Sequence, residues 1–349
     1  MEKFDFSLDK SNMLSAINAL PNQFSQALNE TKTKISCKTR NIIFCAMGGS
    51  ALPCNLLKTF LSAAKIPCDI RLKISRDYFL PAIVEKRWCG FFSSYSGNTQ
   101  ETLSALKHGQ ELKLKQIILL ANGGKLAEIA QKNNLPFIQI PDTNQPRLSY
   151  GYVLGSLLKI LNDSKLIKVN IDELKADADK LNSSIDEIDL KARELAQALK
   201  NFIPLFYASN VWKYLGMVAK INFNENAKTQ SFWNALPEMN HNEMVGFTNL
   251  LAKYKIVFIK DKQDNLETLK RMDILSGILK DKIDCLAIEM PDGSALYKML
   301  YTLQLCLLAS YYLALLYGID PAPVTMVEKF KQSLVQNPES KVLDLSFKS

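Results

Sequence analysis

Two short stretches collect the residue types that hold an anion. Met47-Gly48-Gly49-Ser50 follows the apolar run NIIFCA, and Ser93-Ser94-Tyr95-Ser96-Gly97-Asn98-Thr99 runs straight into a helical pattern. Small residues let the backbone approach an anion, hydroxyls donate to it, and a helix starting near Thr99 supplies unpaired N–H groups. Ser94, Ser96 and Thr99 are therefore candidate phosphate ligands. A serine-rich turn with Thr99 as an ordinary helix cap would show the same residues. The recurrence of the pattern at two strand ends, where parallel sheets bind their ligands, favours the anion.

A third stretch carries acid–base groups. Phe223 to Phe247, FNENAKTQSFWNALPEMNHNEMVGF, packs Glu225, Lys228, Glu238, His241 and Glu243 among asparagines and aromatics. A histidine beside carboxylates, in a chain with only two histidines, is a general acid–base candidate. A polar interface loop is the competing reading. His-Asn-Glu resembles the H-x-E of zinc deaminases, but no P-C-x-x-C follows, which argues against a metal. GGKL at 123–126 lacks the upstream glycine and the Ser/Thr of a P-loop, MGGSAL is not GxGxxG, and no GxSxG elbow is present. Nucleotide binding and serine hydrolysis are disfavoured.

These residues need a scaffold, and the first half alternates to provide one. NIIFCAM (41–47), CDIRLKI (68–74), WCGFFSSYS (88–96), KQIILLAN (115–122) and PFIQIP (136–141) read as strands. Helical patterns at 51–64 and 99–112 lie between them, and RLSYGYVLGSLLKIL (147–161) closes the unit. Such alternation predicts a parallel sheet flanked by helices. In the middle, Leu174, Leu181, Ile188 and Leu195 recur every seven residues, with Ala178, Ile185, Ala192 and Leu199 completing the stripe. That pattern predicts one long helix packed across a domain or subunit boundary. Strands at 202–209, 255–261 and 282–290 then repeat the alternation. The expected architecture is α/β, with two αβα sandwich domains on parallel central sheets, residues 1–165 and 166–349.

Composition sets the remaining bounds. Of 349 residues, 47% are hydrophobic and 22% charged, ordinary globular values that exclude a disordered or fibrous chain. The net charge of +8 suits an anionic ligand, but the basic residues barely cluster beyond Lys32, Lys34, Lys38 and Arg40, so no nucleic acid is expected. Seven cysteines without CxxC, mostly in apolar runs, read as reduced thiols. The start MEKFDFSLDKSN shows no apolar signal region, and a cytoplasmic location is expected. Residues 299–319 carry no charge and match a membrane span in length. Their polar and tyrosine content points instead to a core helix, with no membrane as partner.

MGGSA, SSYSGNTQET, ANGGKLAEIA, QPRLSYGY, NENAKT…PEMNHNE and DPAPVTMVEKFK occur in this order over nearly the whole chain. Together they resemble the bifunctional phosphoglucose/phosphomannose isomerases of the sugar isomerase (SIS) domain superfamily. The serine loop marks any SIS domain; the ENAKT and PEMNHNE blocks are more specific to the isomerases. The resemblance implies roles. Glu225 matches the proton-transferring base and His241, sixteen residues on, the ring-opening group. Arg147 matches the arginine that stabilises the enediolate. Gly49, Ser50, Ser94, Ser96 and Thr99 fall on the substrate and phosphate loops. Lys331 matches a lysine near the ring oxygen, with Lys329 its close rival. The implied reaction interconverts glucose 6-phosphate and fructose 6-phosphate through a cis-enediol, with mannose 6-phosphate as a second aldose and neither cofactor nor metal. It also implies a homodimer with shared active sites. The chain departs from compact members in its extra length, and Val324 and Thr325 are the small residues near the C-terminal segment that bear on epimer choice. A non-catalytic SIS-type sugar-phosphate sensor is the alternative, although residues 1–40 are too few and too weakly patterned for the DNA-binding domain a sensor usually carries.

Overall fold

Strands that are apolar on both faces must be covered on both faces, and this requirement organises the chain. The computed structural model describes residues 3–31 and 35–336; Lys32 and Lys34 of the basic stretch lie outside them. The N-terminal half runs α1 (Met13–Asn18), α2 (Leu20–Glu30), β1 (Asn41–Ala46), α3 (Gly48–Ala63), β2 (Arg71–Ser75) and β3 (Cys89–Ser93). It continues through α4 (Gln100–Glu111), β4 (Gln116–Ala121), α5 (Gly124–Lys132), β5 (Phe137–Gln139) and α6 (Tyr150–Asp163). The C-terminal half runs α7 (Ile171–Ser183), α8 (Ile185–Leu199), β6 (Ile203–Ser209), α9 (Lys213–Asn226), β7 (Phe232–Leu236) and β8 (Tyr254–Lys260). It ends with α10 (Leu266–Leu279), β9 (Cys285–Glu289), α11 (Ala295–Leu316) and α12 (Thr325–Gln336).

Both sheets are parallel throughout. The first has the order β2-β1-β3-β4-β5 and the second β7-β6-β8-β9. In the first sheet the chain leaves β1 in one direction for β2 and returns on its other side for β3. That reversal opens a crevice beyond the carboxyl ends of β1 and β3, the place where doubly wound sheets bind ligands. The Gly48–Ser50 and Ser94–Thr99 stretches start at those two strand ends.

The charge-free segment is a helix inside the protein. Every residue of α11 from Leu296 to Leu315 is buried. It joins α3, α6, α8, α9 and residues of both sheets in one continuous apolar cluster, while smaller clusters cover the outer faces around α4–α5 and α10. Its one buried cation, Lys298, is matched by Asp261 Oδ1 at 2.7 Å and Gln263 Oε1 at 2.9 Å, as a buried charge requires.

Three expectations are corrected. The heptad stripe is two helices, not one: α7 ends at Ser183 and α8 begins at Ile185. Ser183 Oγ and Ser184 Oγ donate back to the carbonyls of Asp179 and Lys180, and Ser184 also meets Tyr297 OH at 2.8 Å. Such back-bonding competes with the helix ladder and bends it. The stripe still buries Leu174, Ala178, Leu181, Ile188, Ala192 and Leu199, against other helices of the same chain. Second, Arg147 is not on α6. Pro146–Leu148 form a separate 3-10 turn, closed by Ser149 Oγ donating to Pro146 O at 2.8 Å. Third, the second sheet has four strands and not three: Phe232–Leu236 form the edge strand β7, paired with β6.

Helices α2 and α6 approach closely because α6 carries glycine on the contact face. A Cβ on Gly155 would lie 2.8 Å from Ala27 Cβ and 2.9 Å from Phe24 O. Alanine is the better helix former by about 1 kcal/mol, yet overpacking against backbone costs about 1–3 kcal/mol. Gly155→Ala is therefore expected to lower the denaturation midpoint; a raised midpoint would show that the two helices can move apart freely.

Candidate active site

The serine loop closes on itself. Ser94 is buried at the end of β3, and its hydroxyl lies 2.8 Å from that of Thr99 and 3.5 Å from that of Ser96. Thr99 occupies the N-cap position of α4, but its hydroxyl is turned to Ser94 and does not cap the helix. The first N–H groups of α4, and those of α3 after Met47, carry no side-chain cap. Two helix starts with uncapped donors and a hydroxyl cluster are the elements of an anion site. Gly97 makes the turn possible: its φ is +70°, and a Cβ there would fall 1.8 Å from Gly123 O.

The glycine loop is tied to the serine loop and to an arginine. Ser50 Oγ accepts from Tyr95 N at 3.1 Å, and Tyr95 OH donates to Asp142 Oδ1 at 2.6 Å. The position a Cβ would take on Gly49 lies 3.0 Å from Arg147 N, so a side chain there would press the Arg147 backbone away.

Arg147 is the hub. Its side chain is 1% exposed, and it is the largest charged group among the fully buried side chains. Nε donates to Asn226 Oδ1 at 2.6 Å and Nη1 to Gln145 Oε1 at 2.9 Å; Nη2 meets the carbonyls of Pro321 at 3.0 Å and Ala322 at 2.9 Å. Nη1 also lies 3.3 Å from Glu225 Oε2. Glu225 stands on the last turn of α9, with its side chain 31% exposed. Burial pushes the Arg147 guanidinium below its ordinary value, and the Glu225 carboxylate counteracts that. A carboxylate open to solvent and backed by a buried cation can take and return a proton beside stabilised negative charge.

His241 and Lys331 stand apart from this group. His241 is exposed at the end of the 3-10 turn Glu238–His241, and Lys331 is exposed on α12. Among the described residues, no hydrogen bond or ion pair within the chain joins either to Arg147 or Glu225. The histidine segment is nonetheless anchored: Tyr207 OH and Asn234 Nδ2 both donate to the Glu243 carboxylate. The other histidine has a local task, since His108 Nδ1 accepts from Leu80 N at 3.1 Å. No group of three His, Cys, Asp or Glu among the described residues is placed to hold a metal ion.

A sequence profile of the bacterial phospho-glucose isomerase C-terminal SIS domain matches residues 188–334. The bifunctional phosphoglucose/phosphomannose isomerase of Caldicellulosiruptor bescii is 33% identical over 342 residues, covering 93% of this chain and 99% of that protein. Its counterpart from Aquifex aeolicus is 31% identical over 298 residues, covering 84% and 90%. The chain belongs to the bifunctional phosphoglucose/phosphomannose isomerase family. The SIS fold extends further: tagatose-6-phosphate ketose/aldose isomerase from Escherichia coli superposes with a TM-score of 0.68 at 13% identity, over 92% of this chain and 96% of that one.

Within this family fold, the residues of the cluster other than Arg147, Glu225 and Lys228 carry no obvious mark in the sequence. Gln145, Asn226, Lys228 and the Pro321–Ala322 carbonyls all belong to it. Asn226 is wholly buried and donates to Ser310 Oγ of α11 at 2.9 Å, which moors the cluster to the central helix. The adjacency of Asn226 and Lys228 to Glu225 in NENAKT was the available signal.

Four hydrogen-bond acceptors and the Glu225 carboxylate surround Arg147, whose guanidinium offers five donors; an ammonium offers three. Arg147→Lys keeps the charge but leaves buried acceptors unpaired, each costing about 1–3 kcal/mol. The expected outcome is a lower unfolding free energy in denaturant titrations, and an unchanged midpoint would contradict the hub geometry.

Proposed function

We propose that this chain interconverts D-glucose 6-phosphate and D-fructose 6-phosphate through a cis-enediol and also accepts D-mannose 6-phosphate. The observation that carries this reading is Glu225, solvent-reachable and 3.3 Å from the guanidinium of a buried arginine whose backbone abuts Gly49 of the loop after β1. In this reading the phosphate binds at Gly49, Ser50, Ser94, Ser96 and Thr99. Glu225 removes the proton from C2 and returns it to C1. Arg147 stabilises the charge that develops on the enediolate oxygens. His241 exchanges a proton with the ring oxygen and O1 during ring opening, with Lys331 near the ring oxygen. Residues 1–165 and 166–349 are the two SIS domains, and the protein works in the cytoplasm.

Both aldoses are accepted for a steric reason. They differ only at C2, so the open-chain C1–C2 unit must rotate to present either face to Glu225. Val324 and Thr325 are small and carry no amide that would hold one rotamer. One badly placed group costs ~1–3 kcal/mol, or roughly 10–200-fold in kcat/KM. The kcat/KM values of the wild type for glucose and mannose 6-phosphate are therefore expected within ~10³-fold of each other. A wider gap would leave a dedicated glucose 6-phosphate isomerase, and tight binding without turnover would point to a sensor. Glu225→Gln is expected to lose at least ~10²-fold in turnover, while Glu238→Gln stays near wild type. The reverse pattern, read in the same coupled assay, would reassign the base.

The active unit in this proposal is a twofold homodimer whose partner supplies the histidine. His241 is exposed within the chain, as are Val245, Met326 and Phe330 nearby in sequence to His241 and Lys331. Mixing inactive Glu225→Gln and His241→Ala proteins is expected to restore part of the activity, because some mixed dimers hold one intact site. Mixtures that remain inactive, or light scattering showing an active monomer, would refute the shared site.

A further inference from the structure

Lys228 lies in the turn after α9, with a left-handed φ of +54°. That conformation is unfavourable for a residue bearing a side chain. The turn folds the side chain back over the helix end, where Nζ meets three carbonyls: Glu225 at 2.8 Å, Asn226 at 3.2 Å and Pro321 at 2.8 Å. An ammonium has three donors and no acceptor, so none is left over for a substrate. We infer that Lys228 is a positioning residue for the isomerisation, fastening the last turn of α9 to the segment after α11 so that the Glu225 carboxylate stays against Arg147. The inference rests on the role proposed above for Glu225.

The surroundings explain both the need and the consequence. The final carbonyls of a helix lack partners of their own, and a cation at that end is favourable. Pro321 O is shared, accepting from Lys228 Nζ and from Arg147 Nη2. Thus two cations converge on one oxygen, and Lys228 adds to the segment 321–322 a tie to α9 that Arg147 does not supply. The charged groups facing Lys228 are Arg147 of the 3-10 turn, Glu225 of α9 and Asp320 after α11. Tyr150 of α6 stands beside Arg147 and Glu225, its phenol pushed well above its ordinary value by burial. Burial, then Arg147, bring Lys228 down to about 8 from an ordinary 10.5, with Asp320 and Glu225 opposing.

This predicts opposite responses to alkali. A neutral amine keeps two donors, so at least one of the three carbonyls is released and Glu225 loosens. Between pH 8 and 10.5 the unfolded chain binds the proton that folded Lys228 has already lost. The contribution of Lys228 to stability therefore rises with pH over that interval. A residue that only held the fold would lose activity and stability together.

The test measures kcat and KM on fructose 6-phosphate from neutral to alkaline pH for wild type, Lys228→Arg and Lys228→Met, with thermal midpoints alongside. The wild type is expected to lose kcat on the alkaline side with a midpoint at about 8, while gaining stability relative to Lys228→Arg. Lys228→Arg should shift the loss upward, because a guanidinium keeps its proton. Lys228→Met should lose about 10²-fold in kcat, the scale of a misplaced catalytic group, with KM little changed. Should Lys228→Met not fold, the shift of the limb in Lys228→Arg decides. Wild-type kcat in Lys228→Met, or an unmoved alkaline limb in Lys228→Arg, overturns the inference. Crystal structures separate it from the proposed function: if Arg147 and Glu225 keep their contact without the ammonium, the positioning role fails whether or not the chain turns over sugar phosphates.

Discussion

A guanidinium taken almost wholly out of water must find partners for its N–H groups, and the Arg147 side chain finds four hydrogen-bond acceptors and one carboxylate on three separate stretches of chain. Gln145 comes from its own loop, Asn226 and Glu225 from the end of α9, and Pro321 and Ala322 from the segment after α11. Removing a charge from solvent is costly unless these bonds are made. The requirement therefore locks the end of the first sheet, the last turn of α9 and the exit of α11 to one another. Lys228 adds a second cation to the same carbonyl set, and Asn226 connects it to the central helix.

The apolar framework makes that polar cluster affordable. Helix α11 is buried all round and shares one continuous core with α3, α6, α8 and α9, so the two sheets are built on common packing. The polar atoms of Arg147 are thus held on elements that cannot shift independently. Glycines at Gly49 and Gly155 serve the same end by letting backbone approach backbone where a side chain would force separation.

The sites of His241 and Lys331 contrast with this rigidity. Both are exposed, and α12 turns Met326, Val327 and Phe330 outward at 85%, 46% and 63% exposure. Glu243 nevertheless holds the histidine segment to β6 and β7 through Tyr207 and Asn234. The charged residues thus fall into two sets within the chain: the pair of buried Arg147 and half-buried Glu225, and surface groups presented by anchored segments.

Local pattern was enough for the strands and for the glycine and serine loops at their ends. β1, β3, β4, β6 and β8 are short apolar runs because a parallel strand is buried on both faces, and the glycine and serine loops stand out by their small residues and hydroxyls at the ends of β1 and β3. The NENAKT block likewise exposed Glu225. Other features depend on partners distant in sequence, which no local pattern records. The heptad stripe is continuous in type, but hydroxyls of Ser183 and Ser184, one of them meeting Tyr297, break the helix beneath it. β7 is a strand because β6 offers it an edge, not because FWNAL alternates. Arg147 could be recognised as an arginine of interest from its motif, but its burial, its bond to Glu225 and the role of Lys228 arise only when residues 145–147, 225–228 and 321–322 meet. A charge can stay buried only where its acceptors converge, and that convergence is a property of the tertiary structure.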